Sequence, residues 1–82
     1  YKLAPGERIR NIYVFAGKGS SKEYRDAYKF ADRYGGDPWE WQHVKGDTVV
    51  ETYEGDRMVE VHWSQHKDYG KHEFFIKKWL DE

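Results

Sequence analysis

The chain has 82 residues, no cysteine and a formal net charge of −1, although 35% of its residues are charged. Its length fits one domain around a single core, to which aromatic residues, 18% of the chain, must contribute much of the buried area. The composition excludes disulfides, thiolate chemistry and cysteine-based zinc sites. The near-neutral charge means that any attraction to phosphate must come from a local patch. No apolar run approaches the roughly 18 residues that a membrane span requires.

The first predicted element is a strand over residues 8–17. Ile12 and Val14 alternate with Tyr13 and Phe15, so both faces of this strand are apolar. We therefore expect the strand to be central in its sheet or covered on both sides.

A helix is predicted next, over residues 21–34. Ser20 and Glu23 fit the capping box of a helix start, and the Gly-Gly pair at 35–36 is typical of a helix end. Between these signals, apolar residues recur at helical spacing and predict one buried stripe, formed by Tyr24, Ala27, Tyr28, Ala31 and Tyr34.

Residues 36–47 have no clear period and indicate a loop or short helical turn, anchored by Trp39 and Trp41. Three further strands are predicted, over 48–55, 57–65 and 71–80, with hairpin turns between them. The fold class is therefore α+β, with an N-terminal helix packed on a three- to four-stranded antiparallel sheet in β-α-β-β-β order. The whole chain, 1–82, is expected to form one domain.

The run 57–65 alternates strictly, and its two faces differ in chemistry. A core-facing stripe of Val59, Val61 and Trp63 lies opposite a polar stripe of Glu60, His62 and Ser64. A carboxylate beside a histidine on an open strand face suits general acid–base work. The alternative is a half-exposed strand histidine without a role.

Two other segments carry candidate groups for phosphate chemistry. If "WQHVKG" is extended, His43 and Lys45 point the same way and offer a proton-transfer group beside a fixed positive charge. Lys18 and Ser20 belong to a glycine-rich turn whose backbone N–H groups favour anions. The alternatives are a polar loop held by tryptophans and an ordinary capped turn.

A metal site on His62, His66 and His72 is a further alternative, but their spacing matches no zinc signature. We expect no metal and no cofactor. The lysines at the end of the chain are typical of a solvated or edge-protecting face. They also fit a phosphate track, which would include Lys71, Lys77 and Lys78.

Five segments in order, "AGKG", "YGG", "WQHVKG", "VEVHW" and "GKHEFFIKK", resemble the C-terminal toxin domains of bacterial polymorphic and contact-dependent growth inhibition toxins and their phage-associated relatives. That resemblance covers most of the chain. It implies the ribonuclease fold shared by barnase, EndoU, colicin and RelE-type enzymes, and metal-independent cleavage of RNA, in many members tRNA. It also implies a cognate immunity protein as partner. The chain would be the C-terminal part of a larger secreted or delivered protein that acts in the target-cell cytoplasm.

Five candidate residues fall in the matching segments, although such nucleases vary in which residues do the chemistry: His43, Lys45, His62, Lys18 and Lys77. We expect His43, Lys45 and His62 to be catalytic, and Lys18, Ser20 and Lys77 to bind substrate. The reaction would be attack of a ribose 2′-hydroxyl to give a 2′,3′-cyclic phosphate. The near-neutral charge departs from the basic character that is common among such ribonucleases. The alternative function is a non-catalytic module that binds RNA or protein.

Overall fold

The computed structural model describes residues 1–81 and is an α+β domain with one α-helix on an antiparallel sheet. The prediction of an N-terminal helix is wrong, because the helix follows two strands. The sheet has five strands, whereas three to four were predicted. The elements in chain order are β1 (Lys2–Leu3), β2 (Arg10–Gly17), α1 (Ala27–Tyr34), a 3₁₀ turn (Pro38–Glu40), β3 (Gln42–Thr52), β4 (Gly55–His66) and β5 (Gly70–Trp79).

Strand β3 is the centre of the sheet. One edge of β3 pairs with β4, which pairs in turn with β5. The other edge pairs with β1 and β2. The expectation that β2 is central or covered is wrong, because Ile12 and Tyr13 are more than half exposed and two irregularities interrupt the pairing with β3.

The predicted loop over 36–47 is wrong in its second half, where β3 begins at Gln42. Gly46 lies inside this strand, and a Cβ atom there would stand 2.5 Å from Cγ2 of Ile9 and 3.0 Å from the carbonyl oxygen of Arg10. A glycine in a sequence favours a turn, but inside a strand it marks a close approach of another segment. Gly46 therefore interrupts the strand pattern of the sequence because Ile9 and Arg10 pack too close to leave room for a side chain.

The helix also begins later than predicted. Ser20 does not cap it: its hydroxyl accepts a hydrogen bond from the backbone N–H of Lys22 at 3.0 Å and donates to the carbonyl of the same residue. This local turn competes with a helix start, as serine side chains often do, and α1 begins only at Ala27. The predicted end is confirmed, because α1 stops at Tyr34 and Gly35 follows with a φ of 117°.

The buried side chains form two separate clusters. Burial of the stripe Val59, Val61 and Trp63 is confirmed, but its partners come from the sheet itself and from Ile9, not from the helix. The second cluster joins α1 to the start of β3, with Ala27, Phe30 and Trp41 buried and Tyr24, Ala31 and Tyr34 partly buried.

Trp41 is the anchor of this second cluster. Its side chain is fully buried, its ring lies 5.6 Å from the ring of Phe30 between centroids, and its indole Nε1 donates to the carbonyl of Gly35 at 3.0 Å. The same ring contacts His66 on β4. Since His66 shares the strand face of His62, α1 is attached to the polar face of the sheet.

No helix within residues 1–81 has both the length and the apolar character needed to cross a membrane.

We expect Gly46→Ala to lower the free energy of unfolding by about 1–3 kcal/mol, because the added methyl group overlaps the side chain of Ile9 in a closely packed site. Denaturant melts of the parent, Gly46→Ala, Ile9→Ala and the double variant measure this effect. The substitution should cost less in the Ile9→Ala background, where Cγ2 is missing. Equal stability of Gly46→Ala and the parent would contradict this packing.

Candidate active site

The register of β3 against β4 brings the predicted catalytic residues to one face of the sheet. Residues directly opposite each other on paired strands point to the same side. The pairs that form this polar face are His43 with Ser64, Lys45 with His62 and Asp47 with Glu60.

Three of these side chains form a continuous hydrogen-bonded chain. The Nε2 atom of His62 lies 2.8 Å from Oε2 of Glu60, and the Nδ1 atom of His62 lies 2.9 Å from Nε2 of His43. We call this arrangement the Glu60–His62–His43 chain. Both ring nitrogens of His62 are engaged in it, so His62 can act on a ligand only through His43.

The hydrogen bonds assign the protons when both rings are neutral. A carboxylate only accepts hydrogen bonds, so Nε2 of His62 carries a proton and donates to Glu60. Nδ1 of His62 is then an acceptor, and Nε2 of His43 must donate to it. This leaves a lone pair on Nδ1 of His43, which is the form that a general base requires.

Two phenylalanine rings enclose His62. The ring of Phe15 lies 6.3 Å away and that of Phe75 lies 5.5 Å away, between centroids. His62 is consequently only 5% exposed, so its expected place on a solvated strand face is wrong. The alternation of the strand identified the correct face, but that face is covered by aromatic side chains from β2 and β5.

His43 is half-buried and is the accessible end of the chain. Its ring stacks against that of Tyr24 and contacts that of Phe15, both at 5.3 Å between centroids. Nδ1 of His43 has no hydrogen-bond partner, and it is not fully buried, because every fully buried side-chain nitrogen and oxygen of the described residues has one. His43 is among the residues that line a cleft of about 360 Å³, which we call the His43 cleft.

The surroundings favour the neutral form of His43. Burial lowers the pKa of His43 below its ordinary value of 6.5, and the neighbouring His62 and the charges of Lys22 and Lys77 lower it further against an opposing effect of Asp26. His43 therefore remains unprotonated at neutral pH and can accept a proton.

Glu60 is held in its ionised form at the other end of the chain. The hydrogen bond from His62 is the main cause that lowers the pKa of Glu60, and the positive charges of Lys45 and Lys78 add to it. Lys45 therefore lies close enough to the chain to influence it, as its place opposite His62 in the strand pairing requires.

Sequence reasoning assigned no site role to the other polar residues that line the His43 cleft, which are Tyr24, Asp26, Lys29, Ser64 and Glu73. Tyr24, which was assigned to a helical core stripe, lies before α1, and its hydroxyl contacts the hydroxyl of Ser64. Burial is the main cause that raises the pKa of Tyr24, so its phenol stays protonated at neutral pH. The register could have placed Ser64 beside His43, but no local pattern places Tyr24 there.

The predicted substrate-binding residues do not all lie at this cleft. Lys18 and Ser20 line a neighbouring cleft of about 460 Å³, which shares Tyr24 with the His43 cleft. Lys77 is exposed on β5, where its charge acts on His43. The structure thus brings together His43, Lys45 and His62 and leaves Lys18 and Ser20 at an adjoining site.

The three histidines of the alternative metal site have separate hydrogen-bond partners. His66 bonds to Glu40 at 3.3 Å, and His72 bonds to the carbonyl of Tyr69, while His62 belongs to the chain described above. Within residues 1–81, no group of three or more histidine, aspartate or glutamate side chains is placed to hold a metal ion.

A larger cleft of about 600 Å³ lies along the apolar face of the sheet. Its walls include Ile9, Val50, Val61, Ile76 and Trp79, and no histidine, lysine or carboxylate lines it among the described residues. Because it offers no group for proton transfer near neutral pH, the His43 cleft is the better candidate for chemistry.

Comparison of the chain with models of protein families, with curated proteins and with solved structures finds no match. The resemblance of the sequence to toxin domains therefore stays a prediction, and the chemistry of the site is argued from its geometry.

The low pKa of His43 predicts a pH dependence of stability. Because the unfolded chain takes up this proton at a higher pH than the folded protein, the free energy of unfolding should decrease as the pH falls below about 6.5. His43→Gln removes the titrating group. As the pH is lowered from about 7 to about 5, the melting temperature should therefore fall more steeply for the parent than for His43→Gln. Parallel curves of melting temperature against pH for the two proteins would contradict the lowered pKa of His43.

Proposed function

We propose that this domain is a metal-independent endoribonuclease toxin that cleaves RNA by attack of a ribose 2′-hydroxyl. The observation that carries the proposal is the Glu60–His62–His43 chain, which leaves an unprotonated nitrogen of His43 at an open cleft. Delivery by a larger secreted protein, action in the target-cell cytoplasm, tRNA as substrate and a cognate immunity protein follow from the family resemblance and belong to the same proposal.

In this mechanism His43 is the general base. Its Nδ1 takes the proton of the 2′-hydroxyl, and the 2′-oxygen attacks the adjacent phosphorus. The bond from phosphorus to the 5′-oxygen breaks, and that oxygen takes a proton from water in the open cleft. The products are a 2′,3′-cyclic phosphate and a 5′-hydroxyl, and His43 returns its proton to solvent.

The other residues of the site support His43. His62 is a positioning residue, since its Nδ1 accepts the hydrogen bond that fixes the His43 ring and its tautomer. Glu60 stabilises the positive charge that develops when His43 takes the proton. The charged side chains that line the His43 cleft are Lys29 and the carboxylates of Asp26 and Glu73. Positive charge for a bound phosphate and its transition state would come from Lys29 and from Lys22 and Lys77, whose charges act on His43.

A second candidate function is non-catalytic binding of RNA or protein. The exposure of Trp39, at 71%, favours it, because a solvent-facing indole is suited to stacking on a base or packing on a partner. The two functions differ in their dependence on His43, since binding by Trp39 does not require a general base.

We expect His43→Gln to reduce RNA cleavage by about 10²- to 10⁴-fold, because it removes the general base. Glutamine retains an N–H group that can donate to Nδ1 of His62, so the fold should be preserved. His62→Ala is a poorer test, because it truncates a buried, doubly bonded side chain. The measurement is single-turnover cleavage of tRNA and of unstructured RNA, with thermal melts of each variant.

His72→Gln is the matched control, since His72 lies on β5 outside the chain and bonds to a backbone carbonyl. It should cleave RNA at a rate close to that of the parent. Unchanged cleavage by a folded His43→Gln variant would show that His43 is not the general base. The search would then move to Lys18, Ser20 and Lys77.

Chelation should leave the cleavage rate unchanged, because the proposed steps use only His43 and its supporting side chains. The same assay in EDTA, followed by addition of zinc or magnesium, tests this expectation. Loss of activity in EDTA that zinc restores would contradict the mechanism and redirect attention to His62, His66 and His72.

A further inference from the structure

A second cleft adjoins the His43 cleft and has a different character. It has a volume of about 460 Å³ and lies between the glycine-rich turn after β2 and the 3₁₀ turn. We call it the Trp39 cleft, after the indole that forms one wall. Tyr24 lines both this cleft and the His43 cleft, so the two clefts adjoin at this side chain.

Trp39 differs from its neighbour Trp41 in exposure. Trp41 is fully buried, whereas Trp39 is 71% exposed, and Tyr28, which also lines the cleft, is 68% exposed. The backbone beside Trp39 is fixed, because the N–H groups of Glu40 and Trp41 donate to the carbonyls of Asp37 and Pro38 at 3.0 and 3.1 Å. The indole is therefore held out from a rigid turn that the burial of Trp41 anchors.

The charge of the Trp39 cleft is complementary to phosphate. Lys18 and Lys22 line it, and Glu23 is its only carboxylate among the described residues. The Nζ atom of Lys22 lies 4.3 Å from the ring centroid of Phe15, which in turn contacts His43. Positive charge thus extends from the exposed indole towards the proposed base.

We propose that the Trp39 cleft binds the nucleotide next to the one that is cleaved. Its base stacks on the indole of Trp39, while Lys18 and Lys22 bind the connecting phosphate. Stacking uses the face that every base possesses, so this subsite holds single-stranded RNA with little preference for sequence. The inference rests on the proposed ribonuclease function, because it takes the His43 cleft as the place of cleavage.

The test uses single-stranded hexanucleotide RNA with 2′-fluoro ribose, which lacks the attacking hydroxyl and stays intact. We expect Trp39→Ala to weaken binding by about 5- to 150-fold, as loss of one stacked base predicts, measured by fluorescence anisotropy of the labelled RNA. Tyr53→Ala is the control, because Tyr53 is fully exposed in the β3–β4 turn and should not contact the RNA. Melting curves should show that both variants remain folded.

Intrinsic fluorescence locates the contact. RNA should quench the tryptophan emission of the parent, and this quenching should be absent in Trp39→Phe. Quenching that persists in Trp39→Phe, or equal affinity of Trp39→Ala and the parent, would overturn the subsite. Failure of the parent to bind the RNA would overturn it as well.

The failure of this inference can be distinguished from failure of the ribonuclease proposal. If His43→Gln loses cleavage while Trp39→Ala binds RNA as the parent does, the ribonuclease stands and the subsite is wrong. If the parent cleaves no RNA but Trp39→Ala loses affinity for RNA and quenching by it, the Trp39 cleft is a stacking site for RNA and the proposed ribonuclease activity is wrong.

Discussion

The register of β3 against β4 is the constraint on which the structure and the candidate site both depend. Pairing runs from Gln42 opposite Gln65 to Thr52 opposite Gly55 without an irregularity. Because side chains alternate along a strand, this register sends one set of residues to the apolar face and another to the polar face. The apolar face holds Val44, Val50, Val59, Val61 and Trp63, and the polar face holds His43, Lys45, Glu60 and His62. A slip of one residue would exchange the two faces. Burial of the apolar stripe therefore also fixes the position of His43 beside His62.

Aromatic rings convert this polar face into a site with defined protonation states. Phe15 and Phe75 enclose His62, while Phe15 and Tyr24 flank His43. Burial lowers the pKa of His43, and the paired carboxylate of Glu60 remains ionised. The neutral form of His43 is thus mainly a consequence of packing. Of these rings, Tyr24 also lines the cleft that the exposed indole of Trp39 lines.

The sequence predicted the features that depend on local periodicity and missed those that depend on distant contacts. Alternation identified the buried stripe of β4, and two glycines marked the end of α1. The start of β3 was missed because Gly46 serves the packing of Ile9, and the helix start was misplaced because Ser20 makes a local turn. Alternation also placed His62 on the correct face. It could not reveal the covering rings, which come from other strands.

The most direct test of the central claim is the protonation state of the two histidine rings, measured by ring-nitrogen NMR of the labelled protein near pH 7.5. The Glu60–His62–His43 chain predicts that each ring carries a proton on Nε2 and that Nδ1 of His43 is unprotonated, with the Nε2 proton of His43 hydrogen-bonded to Nδ1 of His62. An unprotonated Nε2 on His43, with both nitrogens of His62 protonated, would contradict it. His43 would then present an N–H group to the cleft and could not act as the base.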